Sequence, residues 1–178
     1  HPNNPTGIFQ PQIPPAPLTV IDESFCDIAP AQSHIAQAKQ PGHIILKSFG
    51  KFWGLAGLRL GFAIGDPELI DALRQRLGPW PVSGIALKIG AAALIDTTWA
   101  EQTQARLTAD SERLDLLMRR KSARPMGACP LFRTYEVADA EQLHHHLAKR
   151  KIWTRVFPYS QTWIRLGLPP QGQWERLE

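Results

Sequence analysis

Short apolar runs alternate with segments of helical periodicity over the first hundred residues. Runs rich in Val, Ile and Leu predict strands at residues 18–22, 43–48 and 58–64. Asp66 followed by Pro67 predicts the start of a helix, because Asp is a preferred N-cap and Pro suits the first turn. This alternation predicts an α/β domain.

Two further helices are predicted downstream, and their apolar patterns differ. Residues 85–94 are apolar on all sides, which predicts a buried helix. Residues 99–121 form a longer segment with polar faces and one apolar stripe, which predicts a helix that packs on one side. The stripe consists of Leu107, Leu114, Leu117 and Met118.

The last third of the chain changes pattern after a turn-rich break at residues 122–127. A strand at 131–137, a helix at 139–150 and strands at 152–157 and 162–168 predict an α+β unit. We therefore expect two domains, residues 1–110 and 111–178, divided within the long helix.

Composition narrows the classes of protein to consider. The 178 residues are 43% hydrophobic, enough for a core, and the net charge of +4 is spread without a basic run. This argues against a nucleic-acid tail. Two cysteines form neither a disulfide framework nor a metal pattern and fit a reducing cytoplasm. No apolar run approaches a membrane span, and no signal peptide opens the chain. We expect neither a nucleic-acid nor a membrane partner.

A triplet of histidines, His144, His145 and His146, raises the question of metal binding. Consecutive helical positions point in different directions and cannot easily share one ion. We therefore expect no metal site there.

Residues 48–61 carry the clearest chemical signal. Lys51 follows the second predicted strand, with Ser48 three residues before it, Arg59 eight residues after it and glycines around both. A lysine amine can form a Schiff base with a carbonyl, while a hydroxyl and a guanidinium suit a phosphate. Pyridoxal phosphate needs both within one short segment. The alternative is a solvated surface lysine.

Two earlier segments favour the cofactor interpretation. Asn4, fixed by Pro5, can aim its amide at a ligand oxygen, although a simple connecting loop is the alternative. The first strand runs into Asp22 and Glu23, where a carboxylate can pair with a protonated pyridine nitrogen, unless it caps the next helix. Adjacent strand residues point to opposite faces, so we expect Asp22 rather than Glu23 to face the cofactor.

The order of these motifs resembles a known family. Asn-Pro-Thr-Gly, Asp-Glu-x-Phe, Ser-x-x-Lys and Gly-Leu-Arg-Leu-Gly are together similar to fold-type I pyridoxal-phosphate enzymes of the class I/II aminotransferase group. The resemblance covers nearly all of the chain and leaves the family's N-terminal portion unmatched. It implies the C-terminal part of a PLP-dependent transferase-like α/β fold: part of the large mixed-sheet domain in residues 1–110 and the small α+β domain in residues 111–178.

The resemblance also implies a set of ligand-binding residues. Lys51 is expected to bond the cofactor aldehyde, and Asp22 to pair with the pyridine nitrogen. The other expected cofactor contacts are Asn4 and the position of Phe25 at the phenolic oxygen, and Ser48 and Arg59 at the phosphate. The substrate contacts expected from the resemblance are Arg165 for a carboxylate and Arg155 for a substrate phosphate.

Two departures from the aminotransferase pattern indicate a branch of the family. Phe25 stands where aminotransferases usually carry a Tyr, and Pro79-Trp80-Pro81-Val82 is similar to a Pro-Trp-x-Val run of the decarboxylases. The resemblance therefore implies decarboxylation of L-threonine-O-3-phosphate to aminopropanol phosphate in cobalamin biosynthesis. The alternatives are a histidinol-phosphate or related aminotransferase and an inactive fragment of such an enzyme. A homodimer is expected at full length, with little cofactor binding by this chain alone.

Overall fold

The computed structural model describes all 178 residues and divides into two compact units. The first unit comprises His1–Pro2 and Gln10–Glu101, and the second comprises Asn3–Phe9 and Gln102–Glu178. The division after Glu101 lies earlier than the boundary near residue 110 expected from the sequence. Helix α3, Thr97–Arg119, is continuous through this point. The helical periodicity of the sequence therefore does not indicate where the two units divide.

A three-stranded sheet forms the centre of the first unit. Its strands are β1 (Thr19–Asp22), β2 (His43–Ser48) and β3 (Gly61–Gly65), in the order β1-β2-β3. β1 is parallel to β2, and β3 is antiparallel to it. Three short 3-10 turns, rather than an α-helix, connect β1 to β2.

The third strand begins later than predicted. Residues 56–58 form a 3-10 turn, and Arg59 follows it with φ of 54° in the left-handed region. Extended backbone therefore starts only after this residue, although the apolar pattern of residues 58–64 reads as continuous strand.

Helices α1 (Pro67–Leu77) and α2 (Gly84–Ile95) follow β3. Asp66 caps α1 as predicted, since its carboxylate accepts a hydrogen bond from the Glu68 N–H. The prediction that α2 is buried is wrong. Only Ala86 and Gly90 are buried, whereas Ile85 is 73% exposed. The helix approaches the unit along one side alone, where a Cβ on Gly90 would lie 2.4 Å from Leu60 Cδ2.

The second unit is an antiparallel sheet with helices packed against it. Its strands are β4 (Arg124–Pro125), β5 (Phe132–Glu136), β6 (Arg155–Phe157) and β7 (Ser160–Gly167), in the order β4-β5-β7-β6. Helix α4, Ala140–Lys149, lies between β5 and β6 in sequence, and its N-terminus is capped by Asp139. β4 is too short to produce a pattern, and β6 starts later than predicted because Lys151, at φ of 61°, turns the chain after α4.

One face of this sheet forms a closed core. Its fully or almost fully buried members come from α3, α4, the strands and the C-terminal turn: Leu114, Met118, Ala123, Tyr135, Ala140, Leu147, Ile164, Leu166 and Trp174. Both cysteines are buried and free. No helix of the structure combines the length and apolar character needed to cross a bilayer.

Candidate active site

The two adjacent carboxylates at the end of β1 lie in different surroundings. Asp22 is exposed, and its Oδ1 accepts hydrogen bonds from the Ser24 N–H (2.9 Å) and hydroxyl (2.5 Å). Glu23 is completely buried. Neither carboxylate caps a helix, because the 3-10 turn Cys26–Ile28 that follows has no side-chain cap. Of the pair, Asp22 is the carboxylate that a ligand can reach.

Buried Glu23 is held by donors on three sides. It accepts hydrogen bonds from the Ser33 hydroxyl at 2.6 Å and the His34 N–H at 2.5 Å, and it pairs with Lys47 Nζ at 2.7 Å. Burial alone would raise the pKa of Glu23, but these bonds outweigh it and hold the pKa below its usual value. Burial likewise opposes the charge of Lys47, yet Glu23 and Asp27 raise the pKa of its ammonium. No local sequence motif signals this network, because its members come from different elements of the chain.

Lys51 lies in the loop that follows β2, three residues after Ser48, the last residue of that strand. Its side chain is exposed, and its Nζ lies 5.2 Å from the centre of the Phe25 ring. The loop is closed by hydrogen bonds from the Leu55 N–H to the Phe49 carbonyl and from the Gly54 N–H to the Lys51 carbonyl, at 2.9 and 3.1 Å. Lys51 is thus an accessible amine above an aromatic ring, and an accessible amine can form a Schiff base with a carbonyl.

Ser48 and Arg59 line one small cavity of about 180 Å³. The Ser48 hydroxyl accepts a hydrogen bond from the Gly50 N–H at 3.1 Å, and an added Cβ at Gly50 would approach that oxygen to 3.3 Å. Glycine before Lys51 therefore keeps the hydroxyl uncrowded. The left-handed backbone of Arg59, uncommon for a residue with a side chain, occurs at this cavity. A hydroxyl and a guanidinium around a concavity of this size fit a phosphate group.

The two candidate substrate arginines lie side by side in the second unit. Arg155 on β6 and Arg165 on β7 are direct partners across the antiparallel pair, so both side chains leave the same face of the sheet. Burial lowers the pKa of Arg165, and the charge of Arg155 lowers it further. Two cations in register repel each other, and a ligand with two anionic groups would relieve that repulsion.

Asn4 contacts this arginine pair. Its Oδ1 accepts a hydrogen bond from Arg165 Nη1, and the Arg165 guanidinium lies 5.1 Å above the Phe132 ring. Nearby, the Thr134 hydroxyl donates to the Pro5 carbonyl. The Asn3–Phe9 segment, an ordinary turn in sequence, thus holds Arg165 in place and leaves the Asn4 NH2 group as a donor.

The histidine triplet has local partners. His144 Nδ1 lies 2.7 Å from the Thr154 hydroxyl, and His145 lies 3.6 Å from Glu141. His146 accepts from Arg150 at 2.7 Å. Each histidine thus has its own polar partner, although the rings of His144 and His145 lie 5.7 Å apart.

The predicted site residues fall into two groups. The first unit carries the expected cofactor contacts Asp22, Phe25, Ser48, Lys51 and Arg59, and the second carries Asn4, Arg155 and Arg165. An amine, an exposed carboxylate and a phosphate-sized cavity on the first unit are the groups that a phosphorylated pyridine aldehyde requires.

Comparison with known proteins agrees with this chemistry. The profile described as "Aminotransferase class I and II" matches residues 17–178. The chain belongs to this aminotransferase family. Pyridoxal phosphate is the family's cofactor, which confirms the cofactor expected from the sequence.

Two relatives show how the chain compares within the class I/II aminotransferase family. It is 41% identical to the threonine-phosphate decarboxylase of Pseudomonas aeruginosa, over 100% of this chain and 57% of that protein. It is 30% identical to the histidinol-phosphate aminotransferase of Aromatoleum aromaticum, over 99% of this chain and 54% of that protein. The chain therefore spans little more than half the length of these relatives.

A solved structure confirms the expected fold. The histidinol-phosphate aminotransferase from Sinorhizobium meliloti, in complex with pyridoxal-5'-phosphate, superposes with a TM-score of 0.81 at 22% identity. The match covers 99% of this chain and 53% of that one. The chain thus has the α/β architecture of the PLP-dependent aminotransferases over its whole length.

Proposed function

We propose that the full-length protein containing this chain decarboxylates L-threonine-O-3-phosphate to aminopropanol phosphate, with pyridoxal phosphate as cofactor, in cobalamin biosynthesis. The observation that carries the proposal is the in-register pair of Arg155 and Arg165. L-threonine-O-3-phosphate carries a carboxylate and a phosphate, one anionic group for each guanidinium. The 41% identity to a threonine-phosphate decarboxylase supports the same substrate.

The first unit supplies the groups that would hold the cofactor. Lys51 carries the amine for covalent attachment and, once displaced, can hold a proton for transfer. Asp22 can accept a hydrogen bond from the pyridine nitrogen and favour its protonated form. Ser48 and Arg59 can donate to the phosphate in the cavity they share. When bound, pyridoxal phosphate withdraws electrons from the bond that breaks at the substrate Cα.

The second unit would select the substrate. Arg165, which bonds Asn4, would donate to the carboxylate, and Arg155, its partner across the β6–β7 pair, would bind the phosphate. A guanidinium binds either group through two parallel hydrogen bonds, which fixes orientation as well as affinity. Orientation matters here, because it decides which bond at Cα is broken.

Transamination of histidinol phosphate is the second candidate, supported by the 30% identity to a relative with that name. Two observations favour decarboxylation. L-threonine-O-3-phosphate supplies an anion to each arginine by itself, whereas histidinol phosphate carries only a phosphate and the second anion would come only with the oxo-acid substrate. Phe25 cannot donate the hydrogen bond that the tyrosine of the aminotransferases would supply.

The test is a substrate comparison with the full-length protein loaded with pyridoxal phosphate. L-threonine-O-3-phosphate should release CO2 without any added oxo acid. L-threonine is the matched control without the phosphate. Its KM should be at least about tenfold higher than that of L-threonine-O-3-phosphate, as expected for loss of a charge-assisted contact. Conversion of histidinol phosphate that depends on 2-oxoglutarate, without CO2 release from the phosphorylated threonine, would instead establish the second candidate.

Three expectations accompany this proposal and stay predictions. They are a homodimer at full length, a cytoplasmic location and a lack of activity in the 178-residue chain alone. Gel filtration of the full-length protein and a CO2-release assay on the shorter chain test the first and the last.

A further inference from the structure

A continuous chain of polar contacts runs from the end of β1 to the loop that carries Lys51. Buried Glu23 pairs with Lys47 Nζ at 2.7 Å, and the same ammonium donates to Asp27 Oδ1 at 3.1 Å. Asp27 Oδ2 accepts from the Trp53 indole N–H at 2.8 Å. We call these four side chains, Glu23, Lys47, Asp27 and Trp53, the strand–loop network.

The two ends of the network lie next to residues of the candidate active site. Glu23 directly follows Asp22, and Trp53 stands two residues after Lys51. None of the four side chains lines the cavity of Ser48 and Arg59. Asp27, Lys47 and Trp53 instead line a separate, mostly apolar cavity on the first unit.

Trp53 is one of the side chains that attach the loop, beside Phe49 and Phe52, which are 2% and 5% exposed. Inside residues 49–55 the backbone makes two hydrogen bonds, from Gly54 to Lys51 and from Leu55 to Phe49. The Trp53 ring stacks on Phe49 and on Trp99, with ring centres 5.5 and 5.6 Å apart. Stacking permits the ring to slide, whereas the indole N–H bond to Asp27 fixes its place along the stack.

The ionic character of the network has a consequence for geometry. Glu23 is completely buried, whereas the side chains of Lys47 and Asp27 are 17% and 20% exposed. Such an ion cluster is no more stabilising than a well-packed apolar one, but arrangements that leave buried Glu23 without its cation are costly. The network therefore favours one relative arrangement of the strand end at Glu23 and the loop at Trp53.

We infer that the strand–loop network is a positioning device that sets the spacing between the Asp22 carboxylate and the Lys51 amine. This inference rests on the proposed function, in which one cofactor is held by both groups. Disturbing the network should weaken catalysis through misplacement of Lys51, while the substrate arginines of the second unit stay as they are.

Trp53→Phe tests the inference in the full-length protein, because it removes the N–H donor and keeps an aromatic ring. In the cofactor-free protein, amide hydrogen exchange at Gly54 and Leu55 should become about tenfold faster, the effect of one hydrogen bond to a charged acceptor. In the loaded protein, kcat should fall about tenfold while KM for L-threonine-O-3-phosphate changes by less than about twofold.

Trp99→Phe is the matched control, since Trp99 belongs to the same stack but its indole has no part in the network. It should leave loop exchange and kcat within about twofold of wild type. Lys47→Met would leave buried Glu23 without its cation, so exchange should rise in β2 as well as in the loop. Lys47→Arg should keep both near wild type, because a guanidinium can still bridge Glu23 and Asp27.

Unchanged exchange at Gly54 and Leu55 in Trp53→Phe would overturn the inference. So would an equal rise in exchange throughout β2, which would indicate loss of general stability rather than of loop position. The exchange measurement needs neither cofactor nor substrate. If the wild-type protein released no CO2, the proposed function would fail, and the exchange result would still decide whether the network anchors the loop.

Discussion

The second unit encloses most of its apolar side chains, Trp153 and Leu116 being exposed exceptions, whereas the first leaves many of its own on the surface. The closed core of Leu114, Tyr135 and Ile164 lies entirely in the second unit. In the first, α1 has no buried residue and α2 has two. Both units nevertheless hold candidate site residues in defined places. The second relies on a core beneath its arginines, and the first on turns, caps and an ionic network around buried Glu23.

The largest effect should come from the less enclosed unit, because it carries the reacting amine. Lys51→Ala in the full-length protein should lower the decarboxylation rate by at least about a thousandfold, since the covalent attachment point is lost. Borohydride reduction of the loaded wild type, followed by peptide mass spectrometry, should place the cofactor label on Lys51. Lys88→Ala, at an exposed position of α2, is the control and should retain activity.

A label on Lys47 or Lys88 would contradict this assignment. It would also remove the contrast between the units, because the chemistry would no longer depend on the loop after β2.

The second unit should show its largest response in stability rather than in chemistry. Asp115 accepts two hydrogen bonds from Arg133, at 2.9 and 2.5 Å, and a third from the Tyr135 hydroxyl at 2.7 Å. Asp115→Ala would leave a nearly buried guanidinium without its anion. We expect a loss of about 3–5 kcal/mol in the free energy of unfolding, measured by amide exchange in β5 and β7.

Glu178→Gln provides the matched control. It breaks the ion pair between Glu178 and Arg113, whose side chains are 41% and 49% exposed, respectively. Exposed pairs contribute about 0–1 kcal/mol, so exchange in the same strands should hardly change. Equal losses in both variants would mean that burial of the pair is not what stabilises this unit.

The elements that could be predicted from sequence are those with local causes. β2 and the Asp66 cap depend on neighbouring residues, and both agree with the structure. The exposure of α2 could not be predicted, because an apolar pattern shows what a helix can bury and not whether anything covers it. The left-handed Arg59 was also missed, since its backbone is dictated by the turn around it.

The same distinction holds for the candidate site. Ser48 and Arg59 could be grouped from their spacing, and the structure places them at one cavity. The bond between Asn4 and Arg165 joins residues at opposite ends of the chain, so no local pattern contains it. Glu23 likewise stood out only as the neighbour of Asp22, because its burial depends on Lys47 in another strand.

The smallest expected effect tests whether the apolar side chains of α2 in the first unit are exposed to water in solution. Ile85 on α2 is 73% exposed, while Ile45 on β2 is completely buried. In the 178-residue chain, Ile85→Ala should change the free energy of unfolding by less than about 0.5 kcal/mol, because little apolar area leaves water on folding. Ile45→Ala, the same substitution in the same unit, should cost about 2–5 kcal/mol through transfer and cavity terms. Urea unfolding of both variants compares them directly. If the two losses were similar, α2 would have to be covered in solution, and the contrast between an open first unit and a closed second unit would not hold.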